Sequence, residues 1–105
     1  MVEIGTDANL EAKLDELAAR WRQETSFLSS ITAKVDNQWY QEIIALGPPV
    51  VPFLLRKLRQ RPDYWFEALR KLTLENPLRN RPEIRGDIRA MADCWIAWGE
   101  ERGYF

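Results

Sequence analysis

The sequence predicts an all-α fold, a compact bundle of about five helices in a single domain over residues 1–105. Two observations carry most of that prediction. Apolar residues recur at steps of three and four along most of the chain, the spacing of one buried helical face. Gly47-Pro48-Pro49, Arg61-Pro62-Asp63 and Gly103 then punctuate the pattern where helices would end. A rival reading takes Val50–Leu55 (VVPFLL) as a strand. Pro52 argues against it, because a buried strand needs that N–H, whereas the first turn of a helix does not.

The first helix is predicted over about Asn9–Glu24, capped by Thr6, Asp7 or Asn9. Leu10, Leu14, Leu17, Ala18 and Trp21 form its single apolar stripe. Thr25, Ser26, Ser29, Ser30 and Thr32 compete for backbone bonds, so a break or bend is expected near Thr25–Ser30. The second helix is predicted over about Asp36–Leu46, with Asp36 or Asn37 as its cap. Trp39, Tyr40, Ile43, Ile44 and Leu46 make its buried face, and Gly47 takes the left-handed conformation that ends it.

The third helix is predicted over about Pro49–Gln60. Val51, Leu54, Leu55 and Leu58 share one arc, and Arg56, Lys57, Arg59 and Arg61 share the opposite one. Phe53 falls within the basic arc and is expected to be partly exposed there. The fourth helix, about Asp63–Leu72 with Asp63 as its cap, buries Tyr64, Trp65, Ala68, Leu69 and Leu72. Residues 73–82 read as a loop, with two prolines and two asparagines. The last helix starts between Pro82 and Asp87 and ends near Glu101, with Ile88, Met91, Ala92, Trp95 and Trp98 on one side. Tyr104 and Phe105 are expected to tuck back behind Gly103.

Composition narrows the functional classes. The chain has no His and one Cys, so the usual neutral-pH acid–base side chain and the common tetrahedral zinc sites are absent. No Gly-rich phosphate loop and no metal or cofactor motif is present. Ser29 and Ser30 have Lys34 nearby, but no motif places that Lys in a desolvated pocket. Asp15-Glu16 and Glu100-Glu101 are adjacent carboxylates on solvated faces. The chain therefore reads as a non-enzyme. The acidic, polar N-terminus is unlike a signal peptide, and no apolar run approaches a membrane span. A lone thiol fits a reducing cytoplasm.

Charge is unevenly spread. Residues 1–47 carry four basic and eight acidic groups, residues 48–89 ten and five, and residues 90–105 one and three. A basic middle between acidic ends either docks an anionic partner or pairs with those ends. The sharpest cationic feature is Arg56, Lys57, Arg59 and Arg61, joined by Arg70 and Lys71 and, in the loop, by Arg79, Arg81, Arg85 and Arg89. The five Trp, at 21, 39, 65, 95 and 98, read mainly as core, with Trp98 equally suited to the surface. Ala90, Cys94 and Ala97 make a small-residue face that would admit a neighbouring helix or a second subunit, and so a homo-oligomer.

Residues 45–72, ALGPPVVPFLLRKLRQRPDYWFEALRKL, resemble a HEAT-like helical repeat. The matching features are Leu46-Gly47-Pro48, Pro52, Leu54-Leu55-x-x-Leu58, Pro62-Asp63 and Ala68-Leu69. No second copy follows at a fixed spacing. The wider pattern is similar to a small bacterial family of unassigned function. It includes Trp21-x-x-Glu24-Thr25, Trp65-Phe66-x-Ala68-Leu69, Arg85-Gly86 and Trp95-x-x-Trp98-Gly99. The HEAT-like resemblance implies an antiparallel helix pair at the centre of the bundle and contact with a protein or, less often, with nucleic acid. The expected function is a non-catalytic protein-binding module docking through Phe53, Arg56, Lys57, Arg59 and Arg61. The alternative is a nucleic-acid accessory protein using the same cations.

Overall fold

The computed structural model describes residues 6–105, with side chains from Ala8 onward. Six α-helices account for most of these residues, one more than the sequence predicts, and no strand occurs among them. They are α1 Thr6–Thr25, α2 Ile31–Val35, α3 Gln38–Ala45, α4 Val51–Gln60, α5 Phe66–Thr73 and α6 Ile88–Glu101. Short 3-10 turns cover Pro48–Val50 and Pro82–Ile84. The chain divides into two compact units, residues 1–50 and 51–105.

In the first unit α1 packs on α3. Leu14, Leu17, Ala18 and Trp21 are buried, so the predicted stripe is the inward face. The helix begins earlier than predicted and contains Asn9, which therefore does not cap it. The caps expected of the Thr6 and Asp7 side chains lie outside the described residues. The predicted break is present. The Thr25 hydroxyl turns back to donate to the Trp21 carbonyl at 2.7 Å, and the helix stops at Thr25. The sixth helix is α2, which forms because Ser30 Oγ accepts from the Ala33 N–H at 3.2 Å, an N-cap inside a stretch of weak helix formers. Asn37 caps α3 by accepting from the Trp39 N–H at 2.8 Å, as predicted. Gly47, at φ +88°, ends the turn after α3 in the left-handed region.

Trp39 corrects the core prediction. It is half-buried, its indole N–H donates to Glu24 Oε2 at 2.7 Å, and the Arg20 guanidinium lies 5.1 Å from its ring centre. Trp21 is the core indole of this unit. It is buried, lies 5.5 Å from the Tyr40 ring and donates to the Lys34 carbonyl at 2.8 Å.

In the second unit α4 packs on both α5 and α6. Val51, Leu54, Leu55 and Leu58 are buried, and so is Phe53 at 8 % exposure. That overturns the expectation of a partly exposed Phe53. The N-terminal half of α4 is buried on most sides, while Arg56, Arg59 and Gln60 are exposed. Asp63 does not cap α5. Its carboxylate accepts from the Tyr64 N–H at 2.8 Å and its carbonyl from the Trp65 N–H at 2.8 Å, a tight turn that delays the helix to Phe66. The delay puts Phe66 in the core beside Trp65, Ala68 and Leu69, and leaves Tyr64 and Leu72 half-buried.

Asp87 caps α6 through the Ala90 N–H at 3.1 Å, just after Gly86. Ala92, Trp95 and Trp98 are buried. Gly99 is where α6 approaches α4, since a Cβ there would sit 2.9 Å from Leu55 Cδ1. The end of the chain folds back as predicted: Tyr104 stacks on Trp98 at 5.5 Å, and its N–H donates to the Gly99 carbonyl at 2.9 Å. On the small-residue face, the Cys94 thiol donates to the Pro77 carbonyl at 3.5 Å, so the chain's own loop occupies part of it.

Candidate functional site

The cationic residues of α4 follow from its amphipathic pattern. With Val51, Leu54, Leu55 and Leu58 turned inward, the spacing carries Arg56 and Arg59 outward. Lys57 and Arg59 also sit in the last turn, where positive charge complements the unpaired helix carbonyls. The helix hydrogen bonding extends one residue further, with the Arg61 N–H donating to the Lys57 carbonyl at 2.9 Å.

The predicted site residues run along α4, from Phe53 near its start to Arg61 just past its end, in different settings. The Arg56 guanidinium lies over the Phe53 ring at 5.0 Å, so Phe53 acts as a shelf beneath a cation and not as an exposed anchor. Arg59 lies over the Phe105 ring at 4.3 Å and 3.9 Å from a Glu100 oxygen, with both charged side chains about half exposed. At that separation and exposure the ion pair is weak and leaves most of the Arg59 charge accessible. Lys57 is half-buried. Arg61 is exposed and makes no ion pair among the described residues.

Stacking matters to what this surface can do. Arg59, laid on the Phe105 ring, keeps in-plane N–H donors for a carboxylate or phosphate while its orientation is held. Arg102 is placed similarly, 5.2 Å from the Trp98 ring, with its Nη2 donating to Glu75 at 3.3 Å.

A second cationic feature is concave, built from Arg70 and three of the loop arginines that the sequence joins to the α4 cations. A recess of about 360 Å³ opens between α5, the segment 76–85 and α6. Arg70, Arg79, Arg81 and Arg85 line it. Two of these are neutralised locally. Arg70 donates to Glu67 at 2.7 and 2.8 Å, and Arg81 Nε donates to Glu83 at 2.6 Å. These contacts hold both guanidinium pKa values above their ordinary range, and the Arg81 contact holds the Glu83 carboxyl below its own. Arg79 and Arg85 have no carboxylate partner among the described residues. The arginines were visible individually in the sequence, but no periodicity links a helix position to three loop positions.

Among the described residues, no group of three or more His, Cys, Asp and Glu side chains is placed to hold a metal ion. No helix among them is long and apolar enough to cross a membrane. Comparison with protein-family models, with curated proteins and with solved structures finds no match to this chain.

Proposed function

We propose that this chain is a non-catalytic protein-binding module of the cytoplasm, docking an acidic partner on the cationic end of α4. The observation that supports this best is the pair of aromatic-backed arginines, Arg56 over Phe53 and Arg59 over Phe105, beside the exposed Arg61. Arginine held on aromatic surface is the side-chain chemistry that concentrates binding energy at protein interfaces. The partner is an acidic protein surface, which matches the charge of the face and the bidentate geometry that guanidinium offers to carboxylates. The packed α4–α5 pair, with its Leu46-Gly47-Pro48 entry, is read as a HEAT-like unit serving as scaffold.

The test is a tagged pull-down at native expression with wild type and with Arg56→Glu/Arg59→Glu, each first matched for helical content by circular dichroism. Loss of an acidic partner in the variant supports the reading, and equal recovery overturns it. A parallel gel shift with random oligonucleotides at low and high salt addresses the same cations. A salt-sensitive shift near micromolar protein, abolished by the same variant, would replace the protein partner with nucleic acid.

A further inference from the structure

We infer that the arginine-lined recess of residues 66–95 is a binding site for a small organic phosphate, a phosphomonoester joined to a flat apolar body. This goes beyond the α4 docking surface and does not depend on it.

The recess is large enough to admit a small molecule. A volume of about 360 Å³ lies at the lower end of the roughly 300–1,000 Å³ typical of ligand pockets. A shallower groove of about 310 Å³ adjoins it and shares Arg70, Asn76 and Arg79. Beside the Glu67 carboxylate and the Asn76 amide, the lining is of two chemistries. One part is guanidinium, from Arg70, Arg79, Arg81 and Arg85. The other is apolar, with Phe66, Leu78, Ile84, Met91 and Trp95.

Charge selects the anion. Arg81 is matched with Glu83, and Glu67 is shared between Arg70 and Lys71, so Arg79 and Arg85 remain as two positive charges with no carboxylate partner among the described residues. A phosphomonoester carries about −1.5 to −2 at neutral pH, so it balances them, whereas a single carboxylate does not. Its three terminal oxygens also offer more than one guanidinium a paired contact. Asn76 adds a neutral donor. Its Oδ1 accepts from the Leu78 N–H at 3.2 Å, which fixes the side chain, and its amide N–H groups have no partner among the described residues.

Trp95 belongs to the same lining, is 1 % exposed, and its indole N–H has no acceptor among the described residues. The buried indole N–H of Trp98, which does not line the recess, likewise has no acceptor among the described residues, so this feature admits a ligand acceptor without by itself marking the recess. Leu78, Ile84 and Met91, each half-buried, supply the accessible apolar surface against which a flat ligand body would lie, since Phe66 and Trp95 are core residues.

The test is isothermal titration of the full chain with adenosine monophosphate and, as a smaller flat body, phenyl phosphate. Adenosine, inorganic phosphate and succinate are the comparison ligands. Saturable binding of at least one of the two phosphomonoesters is expected, at least about tenfold tighter than adenosine, inorganic phosphate or succinate. Arg79→Ala and Arg85→Ala should each weaken it by about tenfold or more, whereas Lys13→Ala on α1 should not change it. Both arginines are exposed, so circular dichroism should show an intact fold in each variant. Arg79→Lys, which keeps the charge but not the fork, should fall between wild type and Arg79→Ala. The inference is overturned by no saturable heat from either phosphomonoester up to about 10 mM. It is equally overturned by unchanged binding in Arg79→Ala and Arg85→Ala, or by succinate binding as tightly as the phosphomonoesters. Inorganic phosphate binding as tightly as adenosine monophosphate would overturn the assignment of an apolar body.

Discussion

The indole N–H of Trp39 donates to Glu24 Oε2 at 2.7 Å, while Glu24 Oε1 accepts from Asn37 Nδ2 at 3.0 Å. One carboxylate on α1 thereby fastens the start of α3. These donors, Trp39 first and Asn37 second, hold the Glu24 carboxyl below its ordinary value, assisted by the charge of Arg20. A carboxyl whose folded pKa is depressed contributes stability that is present above its unfolded pKa. That contribution is lost as pH falls through the folded value. Glu24→Gln offers one acceptor oxygen where the native side chain offers two, so it should lower the urea midpoint at pH 7. It should also narrow the difference between pH 7 and pH 3, because the titrating group is gone. Urea denaturation at the two pH values checks this, and identical pH dependence in wild type and variant would contradict it.

Gly99 should not tolerate a methyl group. Its Cβ would meet Leu55 Cδ1 and Phe105 Cε2, each at 2.9 Å. Phe105 is 40 % exposed and can swing aside, but Leu55 is fully buried. Gly99→Ala should therefore cost about 1–3 kcal/mol, the usual range for overpacking. Leu55→Ala removes the obstructing methyl, so the two substitutions should be non-additive in a double-mutant cycle. Additive losses in chemical denaturation would contradict the close approach.

Leu74 should be improvable. It ends α5 in the left-handed conformation at φ +60° and is 88 % exposed, so its side chain stabilises little by burial. A branched residue there pays a backbone penalty that Gly avoids. Leu74→Gly should raise stability by roughly 0.5–1 kcal/mol after the entropy of the unfolded Gly chain is counted. Thermal melting reads the sign, and a lower midpoint would contradict the reading.

Elements governed by nearby residues were legible in the sequence. Asn37 caps α3, Gly47 closes it, Pro52 sits in the first turn of α4, and the Leu54, Leu55 and Leu58 arc is buried. What escaped depends on partners that periodicity does not report. Trp39 lies at an inward helical position, yet Glu24, fifteen residues earlier, draws its N–H to the surface. Asp63 is a good cap by type, but it spends its carboxylate on Tyr64, and Phe66 enters the core in consequence. Phe53 falls among the cations by its helical angle, yet the packing of α4 buries it beneath one of them. The arginines of the recess are legible one by one, but their convergence is tertiary. It is set by the segment between α5 and α6, including Cys94 against Pro77.

The proposal that the cationic end of α4 docks an acidic protein is tested most directly by a photo-crosslinking residue at Gln60, which is exposed beside Arg59 and Arg61 and leaves every cation in place. Irradiation at native expression should yield an acidic protein adduct from position 60 and none from a control at Lys13. Arg56→Glu/Arg59→Glu in the same chain should abolish it. Equal adducts at positions 60 and 13, or adducts at 60 that persist after charge reversal, would contradict the proposal.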